Sequence, residues 1–273
     1  MSKENRNLIV GLDIGTSKVV AIVAELAPDG RLEVIGMGSH ESRGLKKGVV
    51  VNIEATVNAI QRALEEAELM ADCKIQRVYT GIAGSHIRSF NSTGMVPIRD
   101  REVTPMDVTR VIETARAMPI PTDQQVLHIL TQEFIIDGQD GVREPLGMSG
   151  VRLEVKVHIV TGAVSAAQNI VKCVRRCGLE VSDLILQPLA SSLAVLTEDE
   201  KELGEQIFHM PVRLGVPRYA GGLSDVIRSP RYSTAVGLLL DGKARSDRGL
   251  LARQGGSFKQ VLSRMREWFG RNF

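Results

Sequence analysis

Gly11-Leu12-Asp13-Ile14-Gly15-Thr16-Ser17-Lys18 is the stretch on which the fold turns. It joins two apolar runs, residues 8–13 and 19–26, and a third run, 31–39, follows the connection Pro28-Asp29-Gly30. Strand-length runs of Val, Ile, Leu and Ala punctuated by such residues predict an antiparallel meander of three strands. The connection at Gly15 to Lys18 admits two readings. Gly15 lets the backbone approach a ligand closely, successive N–H groups and the Thr16 and Ser17 hydroxyls can donate to phosphate oxygens, and Lys18 adds positive charge. Asp13 at the strand end can hold a hydrated Mg²⁺. The same Gly, Thr and Ser also suit a plain hairpin turn, and the spacing is neither the Walker pattern nor the dinucleotide fingerprint.

Outward from the meander, Ile53, Val57, Ile60, Leu64 and Ala67 recur at helical spacing over residues 52–70, with Asn52 as N-cap, and a strand follows at 75–82. The order βββαβ suits a sheet packed on a helix. Residues 84–161 then read as an insertion of βαββ character. It has a strand near 86–91, a helix opened by Thr104-Pro105-Met106-Asp107, and strands at 126–136 and 151–160 separated by a Gly-rich stretch. The earlier pattern resumes with a helix at 165–177, Gly178 beyond its end, a strand at 180–187 and a helix at 189–197. Past Gly204 the pattern loosens. A short helix at 232–240 ends at Asp241-Gly242, and residues 243–256 read as a flexible linker.

Composition excludes several classes. Hydrophobic residues make up 43% of the 273 and charged residues 24%, the balance of a folded chain rather than a disordered one. Three cysteines are too few for a disulfide framework, and Cys173 and Cys177 lack the further ligands that a metal site needs. The five histidines are dispersed and suggest no chemistry. Residues 1–7 show no targeting pattern, which predicts a cytosolic chain, and no apolar run reaches the length of about 18 residues that a spanning helix requires.

The net charge of +2 hides an asymmetry: residues 1–204 carry 22 Lys and Arg against 27 Asp and Glu, whereas 205–273 carry 12 against 5. The basic excess belongs to the end of the chain. There Phe258, Val261, Leu262, Met265, Trp268 and Phe269 fall on one helical face, extended by Phe273, while Lys259, Arg264, Arg266 and Arg271 flank it against Glu267 alone. A bulky apolar stripe with cationic flanks is the pattern of a helix lying on an anionic membrane surface. Docking on the protein's own core and capture by a calmodulin-type partner are the alternatives. The preceding linker and the chain's one Trp in this segment favour the membrane.

Together these residues resemble the FtsA family of bacterial cell-division proteins, peripheral-membrane members of the actin and Hsp70 ATPase superfamily. The resemblance rests on Gly11 to Lys18 as the first phosphate loop, on Gln187-Pro188-Leu189-Ala190-Ser191-Ser192-Leu193-Ala194-Val195-Leu196 as the first connecting helix, on 232–240 as the second, and on the terminal helix. It implies an α/β fold of actin-like (ribonuclease H-like) type with an inserted 1C subdomain at 84–162 that contacts other division proteins. Subdomain 1A would comprise 1–83 and 163–204, a remnant of the second lobe with a closing helix 205–242, the linker 243–256 and the membrane-targeting helix 257–273. The implied cofactor is ATP with Mg²⁺. Asp13, Gly15, Thr16, Ser17 and Lys18 would meet its phosphates, with Asp13 acting through a hydrated Mg²⁺ and Gln187 orienting water. The implied partners are an anionic membrane, the tubulin-like FtsZ, other divisome proteins through 1C, and further copies of the chain. The implied location is the cytoplasmic face of the inner membrane at the septum, with peripheral attachment.

The sequence departs from the family after Leu203-Gly204. There the family continues with a second phosphate loop of Asp-x-Gly-Gly-Gly-Thr type, a helical subdomain and a Gly-Gly adenosine loop, none of which this sequence contains. Residues 205–211 instead resemble the segment that follows the adenosine loop. The chain therefore reads as lacking most of its second lobe, with Gly204-Glu205 as the junction. The resemblance implies an adaptor that tethers the FtsZ ring and divisome components to the membrane. Its ATP site is impaired, leaving at most a weak ATPase, and its FtsZ-contacting lobe is missing. The rival, an active ATP-dependent phosphotransferase of the same superfamily, needs the second loop and a carboxylate in the opposite lobe. A nucleic-acid binder is disfavoured, since the tail's aromatic face would have no role in phosphate contact.

Overall fold

The computed structural model describes residues 7–196, 217 and 229–253, with backbone alone for 248–253. The terminal segment 257–273, the junction at 204–205 and most of the expected remnant lie outside the described residues.

The chain divides into two units, one built from residues 1–86 and 165–249 and the other around 87–164. In the first, β1 (Leu8–Ile14), β2 (Lys18–Leu26) and β3 (Leu32–Glu41) form the expected antiparallel meander. After a short hairpin of β4 (Leu45–Lys46) and β5 (Val49–Val50), helix α1 (Ile53–Ala71) returns the chain so that β6 (Arg77–Ile82) pairs parallel to β1. Asn52 caps α1 as expected, its side chain accepting from the Ala55 N–H at 3.0 Å.

One face of this sheet carries α1, whose Ala63, Ala67 and Ala71 press on Gly36 and Gly38 of β3. The central strands β1 and β2 are buried almost throughout, the condition of strands covered on both faces. The covering of the second face is where the sequence reading needs correcting. The expected short helix and residues 243–253 of the expected linker are one helix, running without a break from Ser233 to Arg253. Asp241-Gly242 does not stop it. A Cβ on Gly242 would lie 2.6 Å from the Tyr79 ring and 2.9 Å from Ile9, so this glycine allows a close crossing instead of ending a helix. Beyond it, Lys243 donates to the Gly30 carbonyl, and Arg245 pairs with both Asp241 and Asp183. These contacts hold part of the expected linker against the fold.

The second unit contains β7 (Arg88–Pro97), α2 (Pro105–Arg116), β8 (Gln124–Ile136), β9 (Gln139–Val142) and β10 (Arg152–Ala163), with the sheet ordered β7-β10-β8-β9. The expected βαββ gains a strand, because Asp137-Gly138, both at positive φ, turn β8 tightly into β9. Thr104 and Asp107 form a complete capping box on α2. Val108, Val111 and Ala115 of this helix close a core with Phe134, Leu153, Val155 and Val157.

The chain returns to the first unit through α3 (Val164–Arg176), β11 (Glu180–Leu186), parallel to β6, and α4 (Gln187–Val195). The finished sheet is ordered β11-β6-β1-β2-β3. The helix Ser233–Arg253, now α5, buries Ala235, Val236 and Leu239 against Ile9, Val20 and Ile22. It crosses α4 so closely that a Cβ on Gly237 would stand 1.7 Å from the Ala190 carbonyl oxygen. Cys173 lies on α3 and Cys177 directly after its last residue; burial pushes both thiols up, Cys177 to about 11, which keeps them protonated.

Candidate functional site

The hairpin between β1 and β2 is closed by the Gly15 N–H, which donates to the Lys18 carbonyl at 3.0 Å. Two neighbours hold its outer side. The Ser42 N–H donates to the Ser17 carbonyl at 3.1 Å, and the Gly48 N–H donates to Thr16 Oγ1 at 3.2 Å. A hydroxyl that accepts from a backbone amide keeps its own proton for another acceptor, so Thr16 can donate to an incoming oxygen. Gly48 reaches it because Lys47 and Gly48 both take positive φ in the two-residue turn of the β4–β5 hairpin.

Asp13 is the last residue but one of β1 and only 8% exposed. Gln187, the first residue of α4, folds back over it: its Nε2 donates to Asp13 Oδ1 at 2.9 Å and to the Ile14 carbonyl at 3.4 Å. That posture needs Gly81 on β6, where a Cβ would come within 2.6 Å of Gln187 Cγ. Burial pushes the Asp13 carboxyl up to about 6, partly offset by the Lys18 charge. Between these elements lies a cavity of about 180 Å³, lined among others by Gly15, Thr16, Gly48, Gly84 and Gln187.

The structure therefore brings Gly15, Thr16 and Gln187 to one cavity, with Asp13 directly behind Gln187. Ser17 and Lys18 are not among its lining residues. The Lys18 ammonium instead donates to the Arg231 carbonyl at 2.6 Å and sits 4.3 Å from the centroid of the Tyr232 ring. Burial and the Arg231 charge lower its pKa, and Asp13 raises it. The expected terminal residues Phe258, Lys259, Val261, Leu262, Arg264, Met265, Arg266, Trp268 and Phe269 lie outside the described residues. Sequence reading missed the Lys47-Gly48 turn and the backbone of Gly81, Ala83 and Gly84. A Lys-Gly pair between Leu45-Lys46 and Val49-Val50 is the signal that could have found the first of these.

The cavity is below the usual range of small-molecule pockets, roughly 300–1,000 Å³, and suits a phosphoryl group rather than a whole nucleotide. Its donors fit that group: the Thr16 hydroxyl and a backbone kept bare by glycines. Among the described residues no three His, Cys, Asp or Glu side chains converge on a point. A lone carboxylate such as Asp13 suits an ion held through its own water, the habit of Mg²⁺.

A five-stranded sheet covered on both faces, with a Gly-Thr-Ser hairpin over its centre and a second α/β unit inserted after β6, defines an actin-like α/β protein. Residues 84–161 match the family described as the SHS2 domain inserted in FtsA. The chain is 41% identical to the cell division protein FtsA of Pseudomonas aeruginosa over 415 aligned residues, covering 100% of each. It belongs to the FtsA family of cell division proteins. With 273 residues against 415 aligned positions, 142 positions of that alignment have no counterpart here. The FtsA of Neisseria meningitidis is 57% identical over 204 residues, 75% of this chain but 49% of that one, so the chain spans about half the length of this relative. Among solved structures, the PilM-PilN type IV pilus biogenesis complex superimposes with a TM-score of 0.48 at 20% identity, over 70% of this chain and 52% of the other.

Proposed function

We propose that the chain is a division adaptor that attaches divisome components to the cytoplasmic face of the inner membrane at the septum, with a nucleotide site reduced to the contacts of one lobe. The observation that carries the membrane part is the terminal pattern, a stripe of Phe258, Leu262, Met265, Trp268 and Phe269 flanked by Lys259, Arg264 and Arg266. Each basic residue near an anionic surface contributes about 1 kcal/mol, so the charges assist while the aromatic stripe supplies most of the attachment. The resemblance implies that FtsZ is met by the second lobe, which this reading takes to be largely missing. Divisome proteins reached through residues 84–162, and further copies of the chain, are therefore the partners that this reading retains.

The impaired ATP site is supported by the 142 unmatched positions and by the small cavity. Gly15 and Thr16 would meet a phosphate, Asp13 a hydrated Mg²⁺, and Gln187 a water, while adenine and ribose would find no second wall among the described residues. When bound, ATP would supply a transferable terminal phosphoryl group. Gly15, Thr16 and Gln187, which line the cavity, would orient it.

Co-sedimentation with vesicles of phosphatidylglycerol and phosphatidylethanolamine tests the attachment. The full chain should pellet, and both Trp268→Glu and a chain ending at residue 256 should remain in the supernatant; equal pelleting of all three sinks the reading. Titration of fluorescent ATP with Mg²⁺ tests the site. Sub-micromolar affinity would refute the impairment and favour the phosphotransferase reading instead.

A further inference from the structure

Lys18 opens β2, yet its ammonium is turned from the hairpin cavity toward a segment 213 residues away in sequence. There it meets the Arg231 carbonyl at 2.6 Å and the Tyr232 ring at 4.3 Å. Residues Pro230–Tyr232 form a short 3-10 turn that opens α5, fixed by the Tyr232 N–H on the Ser229 carbonyl at 3.0 Å. Tyr232 is itself part of the core, packed with Ile9, Val20 and Val236, so it is a rigid platform rather than a mobile side chain. The Arg231 guanidinium shares the same ring at 5.3 Å. An ammonium beside a second cation, and in part withdrawn from water, would prefer an anion. Apart from the charge of Asp13, which raises its pKa, its direct partners here are a carbonyl dipole and the negative face of an aromatic ring.

We propose that the Pro230–Tyr232 turn is a latch that occupies Lys18 in place of phosphoryl oxygens, so that a polyphosphate ligand recruits the lysine only by drawing it off the turn. The inference rests on the reading of the first hairpin as a phosphate site and adds the regulation of that site. A ligand that needs Lys18 binds with an affinity reduced by the fraction of time the lysine is latched. The cation–π part of the latch corresponds to a factor of about three to ten in affinity.

The probe is inorganic tripolyphosphate, titrated into the full-length chain and followed by ³¹P NMR. Tyr232→Leu keeps apolar bulk in the core and removes the ring's charge distribution; it should bind three- to tenfold more tightly than the parent. Tyr232→Met is the second choice if far-UV circular dichroism shows that the leucine variant has not folded. Lys18→Met should weaken binding and abolish the gain from Tyr232→Leu. The latch is refuted if Tyr232→Leu and Tyr232→Met bind no more tightly, or if the gain persists without Lys18. If Lys18→Met binds like the parent, the hairpin phosphate reading itself fails. A weaker Lys18→Met together with an unchanged Tyr232→Leu refutes the latch alone.

Discussion

Replacing Asp13 by Asn should stabilise the fold at neutral pH, and the size of the gain follows from the burial of the carboxyl. Its folded-state pKa of about 6 stands above the ordinary value of 3.8, chiefly through desolvation. A group whose pKa is raised on folding binds its proton more tightly in the native state. Its penalty is absent below about pH 4, grows as pH rises toward 6, and is constant above that. At about 1.4 kcal/mol per pH unit, the gap corresponds to roughly 3 kcal/mol. Asparagine retains an oxygen to accept from Gln187 Nε2, now 2.9 Å from Asp13 Oδ1, and has no charge to bury. Urea unfolding followed by far-UV circular dichroism should therefore give parent and Asp13→Asn equal stability near pH 4. The variant should be about 3 kcal/mol more stable at pH 7.5, a shift of roughly 6–12 °C in Tm. A variant less stable than the parent at pH 7.5, or a difference that does not change between pH 4 and 7, would refute the reasoning. The residue that costs stability is the one expected to face a bound cation, and a cation's charge would lower that cost.

Three further outcomes rest on the packing. Gly237→Ala improves intrinsic helix propensity yet puts a methyl 1.7 Å from the Ala190 carbonyl oxygen, and should lower stability by about 1–3 kcal/mol in urea titrations. Thr104→Ala dismantles the capping box of α2 and should cost about 1 kcal/mol, read in the same way. Arg245→Ala removes the pairs to Asp183 and Asp241. Under limited trypsin digestion, cleavage after Lys243 should be slow in the parent and several-fold faster in this variant; equal rates would mean that the ion pairs do not hold α5.

Much of this architecture is legible in the sequence because it is written in local periodicity. The meander, α1 with its Asn52 cap and α2 with its Thr104 cap each depend on residues within a few positions of one another. Three strands escape sequence reading for a shared reason. β4, β5 and β9 each adjoin a two-residue turn at positive φ, Lys47-Gly48 or Asp137-Gly138, and are too short to show alternation. α5 reads as too short because Gly242 carries a stop signal in sequence and a packing role in three dimensions, and only the Tyr79 ring distinguishes the two. At the candidate site, Asp13 and Gln187 are legible as individual residues, 174 positions apart, but their hydrogen bond is not. The partners of Lys18 are invisible for the same reason.

The length of α5 changes how the end of the chain is carried. A flexible linker over 243–256 would let residues 257–273 wander over roughly 20 Å in any direction. A continuous helix from Ser233 to Arg253 is instead a rod of roughly 30 Å. In sequence, three residues separate its end from the basic aromatic segment. A leash limits only distance, whereas a rod also transmits direction. On the proposed membrane reading, the packing of Gly237 and Gly242 would set the direction in which the chain leaves the sheet as far as Arg253.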